Sequence, residues 1–306
     1  MTSRIGLGIV CAAMLSAASW AAGPVVVQKT FATPEAAAEA LITAAEQFDV
    51  AALKEILGPD GVDLVVTDDP VLDKNQAAAF AAQARVKTQV VRDPKSSKLA
   101  ILVTGDEDWP APVPLVRKGD TWRFDSKAGR QEVLYRRIGA NELDAIELCR
   151  EYVAAQQEYA SQKHDGSPVN QYAQRVISTP AKQDGLAWQT PDGSWAGPLG
   201  EDISKVISEG YSDRYDPYHG YFFKVLKGQG PAAPMGEMDF IVKGVMIGGF
   251  ALVAAPANYR VTGVKTFIVS HTGIVYEKDL GPKTLDQFRA MERFDPDPKW
   301  KPVESP

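Results

Sequence analysis

The chain has 306 residues, 45% of them hydrophobic and 24% charged, an ordinary globular composition with enough apolar residues for two cores. Its formal net charge is −6, and no run of Lys or Arg forms a basic stripe. That balance argues against a nucleic-acid partner and makes an anionic membrane surface mildly repulsive.

The first residues follow the order of a signal peptide. Arg4 supplies the positive start, residues 5–15 the apolar segment, and Ser19-Trp20-Ala21 a small-x-small cleavage site. A leader over residues 1–21 is expected, with a mature chain starting near Ala22 and exported from the cytoplasm. Cleavage removes Cys11 and leaves Cys149 alone, which excludes an intramolecular disulfide and a thiolate metal cluster in the mature chain. No later stretch approaches about 18 uninterrupted apolar residues, so no membrane span is expected after cleavage.

Residues 22–138 read as a first domain. Thr33-Pro34-Glu35 has the form of a helix start, with Thr33 as the cap, and the helix continues to Phe48. Asp49 caps a second helix over 50–57 that turns Leu53, Ile56 and Leu57 inward, and residues 58–61 stop it. A third, Ala-rich helix is expected over 73–85. The period then changes to strands at 88–91, 99–104, 113–116 and 121–124. Pro110, Pro112 and Pro114 remove alternate backbone donors, so that stretch is an edge or an extended lead-in.

Residues 139–306 read as a second domain. The chain is helical from 126 to 137, Gly139 breaks the helix, and Asn141 caps a new one running to about Gln162. Leu148, Tyr152, Ala155 and Tyr159 form its core-facing stripe, widened by Ala145, Cys149 and Val153. Residues 163–188 read as loop with a short helix over 169–176. Residues 189–200 are an ordered irregular loop anchored by Trp188 and Trp195, and 202–209 a short helix. Strands follow at 220–226, 240–246 and 248–255, then a hairpin over 264–278 turning through His271-Thr272-Gly273. A short helix at 285–293 closes the chain.

Helices followed by an antiparallel meander predict an α+β first domain. With its Phe-Ala-Thr-Pro lead-in at 31–34, it resembles the cone of the nuclear-transport-factor-2-like superfold, which implies a curved sheet around a helix. Whether that cone is open or filled by Trp109, Trp122 and Phe80 is left undecided by the sequence. The second half is similar to the globular head of type IV pilin-like proteins, on Ala155-Gln156-Gln157-Glu158-Tyr159, Gly220-Tyr221-Phe222-Phe223 and Phe250 to Pro256. That likeness implies a long helix packed across an antiparallel sheet. The charges of Glu142, Asp144, Glu147, Arg150 and Glu151 keep this helix out of a bilayer.

The whole mature chain resembles domain-of-unknown-function family 2950, a family of exported Gram-negative proteins. The resemblance rests on the Trp-Pro-x-Pro-x-Pro run at 109–114, Trp122-Arg123-Phe124-Asp125, Arg136 to Glu142, Pro217-Tyr218-His219-Gly220-Tyr221-Phe222 and Gly248 to Ala254. It implies periplasmic or secreted localisation and no reaction.

No assembled chemistry stands out. His164, His219 and His271 have no zinc-ligand spacing. Asp202, Asp213 and Asp216 lie near glycines and leave calcium open, although no EF-hand spacing is present. Ser270 and His271 are strand neighbours that point to opposite faces. Pro231 after Gly228-Gln229-Gly230 blocks a dinucleotide fingerprint. The aromatic loop carrying Tyr211, Asp213, Tyr215, Asp216, Tyr218 and His219 is the candidate contact surface, set against simple packing of those rings. The leading reading is a non-catalytic protein that binds or scaffolds an envelope protein or polymer, with no cofactor. The alternatives are an envelope-polymer hydrolase and a small-ligand binder using the first domain's cone.

Overall fold

A computed structural model describes residues 27–67, 69–208, 211 and 217–304. The leader, and Asp213, Tyr215 and Asp216 of the candidate surface, lie outside the described residues. Helix α1 (Pro34–Glu46) starts as its sequence dictates, with the Thr33 hydroxyl accepting from the Ala36 N–H at 3.1 Å. Asp49 does the same for α2 (Val50–Leu57), at 3.0 Å from Ala52 N, and Leu53, Ile56 and Leu57 are buried. A one-turn helix α3 (Val62–Val65) leads to Asp69, which caps α4 (Pro70–Val86).

The meander is β1 (Thr88–Arg92), β2 (Leu99–Thr104), β3 (Trp109–Pro110), β4 (Leu115–Lys118) and β5 (Thr121–Phe124). Its order is β1-β2-β4-β5, antiparallel throughout, and β3 pairs with β2 beyond the end of β4. The proline run pairs only briefly, as its missing donors require. Ala100, Leu115, Trp122 and Phe124 of the sheet meet Ala37, Ala44, Leu53, Ile56 and Ala81 of the helices in one apolar core.

Helix α5 runs unbroken from Ser126 to Tyr159, 34 residues or about 50 Å at 1.5 Å per residue. The expected break at Gly139 and the expected cap at Asn141 are both overturned. A helical glycine costs only about 1 kcal/mol against alanine, and tertiary anchors on the next turn outweigh it. Asn141 is buried and donates to the Thr262 carbonyl at 2.9 Å. Glu142 Oε1 accepts from the N–H groups of Val264 and Lys265 at 2.9 and 3.0 Å.

Beyond α5 come β6 (Arg175–Ile177), β7 (Gly185–Gln189), β8 (Trp195–Ala196) and α6 (Gly200–Ser208). The expected helix over 169–176 is also overturned, because that stretch is irregular chain leading into β6. Fully buried Gln156 of α5 takes its backbone: the Ala173 N–H donates to Gln156 Oε1 and Gln156 Nε2 donates to the Ala173 carbonyl, each at 2.8 Å. The side-chain amide replaces the ladder that a helix would supply.

The C-terminal half continues through β9 (Tyr221–Leu226), β10 (Gly228–Gln229), β11 (Met238–Asp239), β12 (Ile241–Val242), β13 (Val245–Met246), β14 (Ala251–Pro256), β15 (Lys265–Ser270) and β16 (Val275–Asp279). Helix α7 (Thr284–Ala290), β17 (Arg293–Phe294) and β18 (Lys301–Pro302) follow. The main sheet has the order β18-β16-β15-β14-β9 and is antiparallel. Every residue of β14 is buried, so both faces of this central strand are covered. Helix α5 packs on β14 and β15 through Ala145, Cys149, Tyr152 and Tyr159, while α7 also lies against β14. The class is therefore mixed α+β. Among the described residues no helix is long and apolar enough to cross a membrane.

Candidate functional site

Of the aromatic loop, Tyr211, Tyr218 and His219 are described, and Tyr211 and the following Gly220 meet Asp69 of the N-terminal half. Tyr211 is buried, and its hydroxyl donates to Asp69 Oδ2 at 2.9 Å. The Gly220 N–H donates to the same oxygen at 3.0 Å, while Oδ1 caps α4 through the Leu72 N–H at 2.9 Å. Burial, and then the charge of Asp69, raise the Tyr211 pKa well above the usual phenol range. Tyr211 thus belongs to the seam and not to an open contact face.

Tyr218 and His219 are half-buried beside it. Their rings stack with centroids 4.1 Å apart, and His219 Nδ1 lies 2.9 Å from Asp144 Oδ2 on α5. His219 and Gly220 take φ of +48° and +75°, which turns the chain sharply into β9. A Cβ on Gly220 would sit 2.6 Å from Asn141 Nδ2. His164 is buried and stacked on Tyr159, and His271 lies between Phe240 and Phe250, so the structure does not bring the histidines together. Among the described residues no three His, Cys, Asp or Glu side chains gather as a metal requires.

A second site lies in the first half. A cavity of about 460 Å³ opens between helices and sheet, within the range of about 300–1,000 Å³ usual for small-ligand pockets. Helix α1 contributes Leu41 and Ala45, and Phe48 follows it. Helix α2 contributes Leu53 and Leu57, and α4 contributes Ala77 and Phe80. Ala111 to Val113 and Phe124 close the sheet side, and α5 adds Val133, Arg136, Arg137 and Ala140. Of the aromatic residues that sequence left undecided, Phe80 forms wall, Trp109 stands half-exposed at the mouth, and Trp122 is buried in the core beneath Arg92. The cone is open.

Among the described residues, Asp73, Arg136 and Arg137 are the charged ones lining this cavity. Thr67 holds Asp73 through its N–H at 2.7 Å and its hydroxyl at 2.9 Å. Burial raises the Asp73 pKa against the pull of those bonds and of the Arg137 charge. Arg137 is buried and donates from Nη1 to the Asp63 carbonyl at 2.8 Å and from Nη2 to the Leu64 carbonyl at 2.9 Å. Burial lowers its pKa, with Asp73 and Asp63 opposing. Arg136 is exposed, donates from Nε to Glu132 at 2.7 Å, and lies 5.3 Å from the Trp109 ring centroid.

Asp69, Asp73, Arg136 and Arg137 were not singled out by the sequence reading as site residues. One signal was available. Arg137 falls four residues before Asn141 and eight before Ala145, on the stripe that continues through Cys149 to Tyr152. A charged residue on a buried stripe marks a place where the core is not simply apolar.

The fold and this geometry define an α+β protein whose central helix walls an apolar cavity at one end and underlies a five-stranded sheet at the other. Residues 28–303 match the family described as "Protein of unknown function (DUF2950)", and the chain belongs to that family. No curated protein and no solved structure matches the chain.

Proposed function

We propose that this protein binds a small, mainly apolar ligand in the cavity of its N-terminal half, without catalysis, in the cell envelope. The observation that carries the reading is the 460 Å³ cavity, walled by Leu41, Leu53, Phe80, Val113 and Phe124. Among the described residues no Ser, Thr, Cys, His or Tyr lines it, and both carboxylate oxygens of Asp73 are engaged by Thr67, which supports holding over reacting.

The test is fluorescence titration with the neutral apolar probe N-phenylnaphthylamine. Wild type is expected to take up one probe per chain, and Ala77→Trp, which fills the cavity from α4, to weaken uptake at least about tenfold. Equal uptake by both, or none by wild type, overturns the reading.

Export is supported by Arg4, the apolar residues 5–15 and Ser19-Trp20-Ala21. Mass spectrometry finding a periplasmic chain that begins near Ala22 is the expected result, and an intact Met1 in the cytosol overturns it. Contact with an envelope protein or polymer at Tyr218 and His219 is a second reading, supported by their partial exposure beside the buried Tyr211.

A further inference from the structure

Resting on the cavity reading, we infer that the ligand is a single-chain amphiphile with a carboxylate head, and that Arg136 receives that head at the mouth. Of the three charged described residues lining the cavity, two are already committed inside the protein. Asp73 has both oxygens on Thr67, and Arg137 has both guanidinium arms on the carbonyls of Asp63 and Leu64.

Arg136 is different. Its Nε bonds Glu132 Oε1 at 2.7 Å, and its two Nη nitrogens make no hydrogen bond to any described residue. A guanidinium can bind one carboxylate along its Nε side and another across its Nη1–Nη2 end. Glu132 therefore leaves the end free for a ligand carboxylate.

The surroundings set the orientation. Arg136, Gln76 and Trp109 are exposed, whereas the opposite walls come from Leu53, Leu57 and Phe124 in the core. An apolar tail goes inward and the charged head stays at the rim, where it keeps part of its hydration. The Arg136 guanidinium carbon lies 5.3 Å from the centroid of the exposed Trp109 ring, a cation–π contact that helps fix the arginine at the rim. A cationic head has no comparable partner among the described residues there, because both Asp73 oxygens already accept from Thr67 and Glu132 is occupied by Arg136.

The experiment is isothermal titration of the full mature chain with dodecanoate, dodecanol and dodecyltrimethylammonium, below their micelle concentrations. Dodecanoate is expected to bind about tenfold tighter than dodecanol, the size of one charge-assisted contact, and the cation weakest. In Arg136→Gln the dodecanoate-to-dodecanol ratio is expected to fall to within about twofold, and in Glu132→Gln to rise. Dodecanoate and dodecanol binding equally to wild type overturns the head-group assignment while the cavity reading stands. An unchanged ratio in Arg136→Gln overturns the role of Arg136. Failure of all three probes overturns the cavity reading itself.

Discussion

The hydroxyl of Tyr211 reaches Asp69 Oδ2 across 142 residues of chain, at 2.9 Å, in a place where Asp69 has no exposed surface. The same carboxylate caps α4 and takes the Gly220 N–H. Three donors from two halves of the chain thus converge on one buried acceptor. Asp69→Ala orphans the Tyr211 hydroxyl and the Gly220 amide and removes a cap, and is expected to cost about 3–4 kcal/mol. Tyr211→Phe is expected to cost about 1–2 kcal/mol. Urea unfolding of both single variants and the double variant checks this, and additive losses would show that the pair does not interact.

Two glycines make opposite predictions. Gly220 has φ +75° and no room for a Cβ, so Gly220→Ala is expected to destabilise by more than about 1 kcal/mol. Gly139 lies inside α5 with nothing within 4 Å of a Cβ, so Gly139→Ala is expected to stabilise by about 0.5–1 kcal/mol. Melting temperatures that move in the same direction for both would contradict this account of the helix.

Cys149 is fully buried on α5, and burial pushes its thiol up to about 12. The thiolate that reacts is therefore scarce as well as enclosed. Labelling with a disulfide reagent is expected to be slow in native buffer and to accelerate steeply with denaturant. Rapid labelling of the native protein would place Cys149 on the wrong face of the helix.

His271 gives a pH dependence with a defined sign. Burial beside Phe240 and Phe250 lowers its pKa, with the Phe250 carbonyl opposing. In the unfolded chain the imidazole titrates at about pH 6.5, so below that the unfolded state binds the proton more readily. Its contribution is full above that pH and is lost as pH falls toward the folded pKa. Wild type is expected to lose more stability than His271→Gln between about pH 7 and pH 5. Parallel stability curves for the two proteins over that range would refute the assignment.

Local signals were readable where the chemistry was local. Thr33 and Pro34 announce α1, Asp49 announces α2, and the apolar run at 248–255 announces a buried strand, which the structure places at Ala251–Pro256 with both faces covered. The misreadings share one cause. Gly139 and Asn141 look like a stop and a start until Thr262, more than a hundred residues away, supplies the partner for Asn141. The stretch around Ala173 looks helical until Gln156 claims its backbone. The cavity was legible only as a question, because Phe80, Trp109 and Trp122 read alike in sequence whether they fill a space or rim it. Emptiness is a property of the whole packing and leaves no mark on any one residue.

The unbroken course of α5 sets a rotational phase. Arg137 faces the cavity and Asn141, one turn later, faces Thr262 beside the main sheet. Each residue of an α-helix advances the side-chain direction by about 100°. A single residue inserted between these two positions would swing one end of the molecule by that angle about the helix axis and misalign every contact of the seam. The spacing of this one turn is therefore as constrained as any side chain on it, and length variation in the chain is expected in its loops, never here.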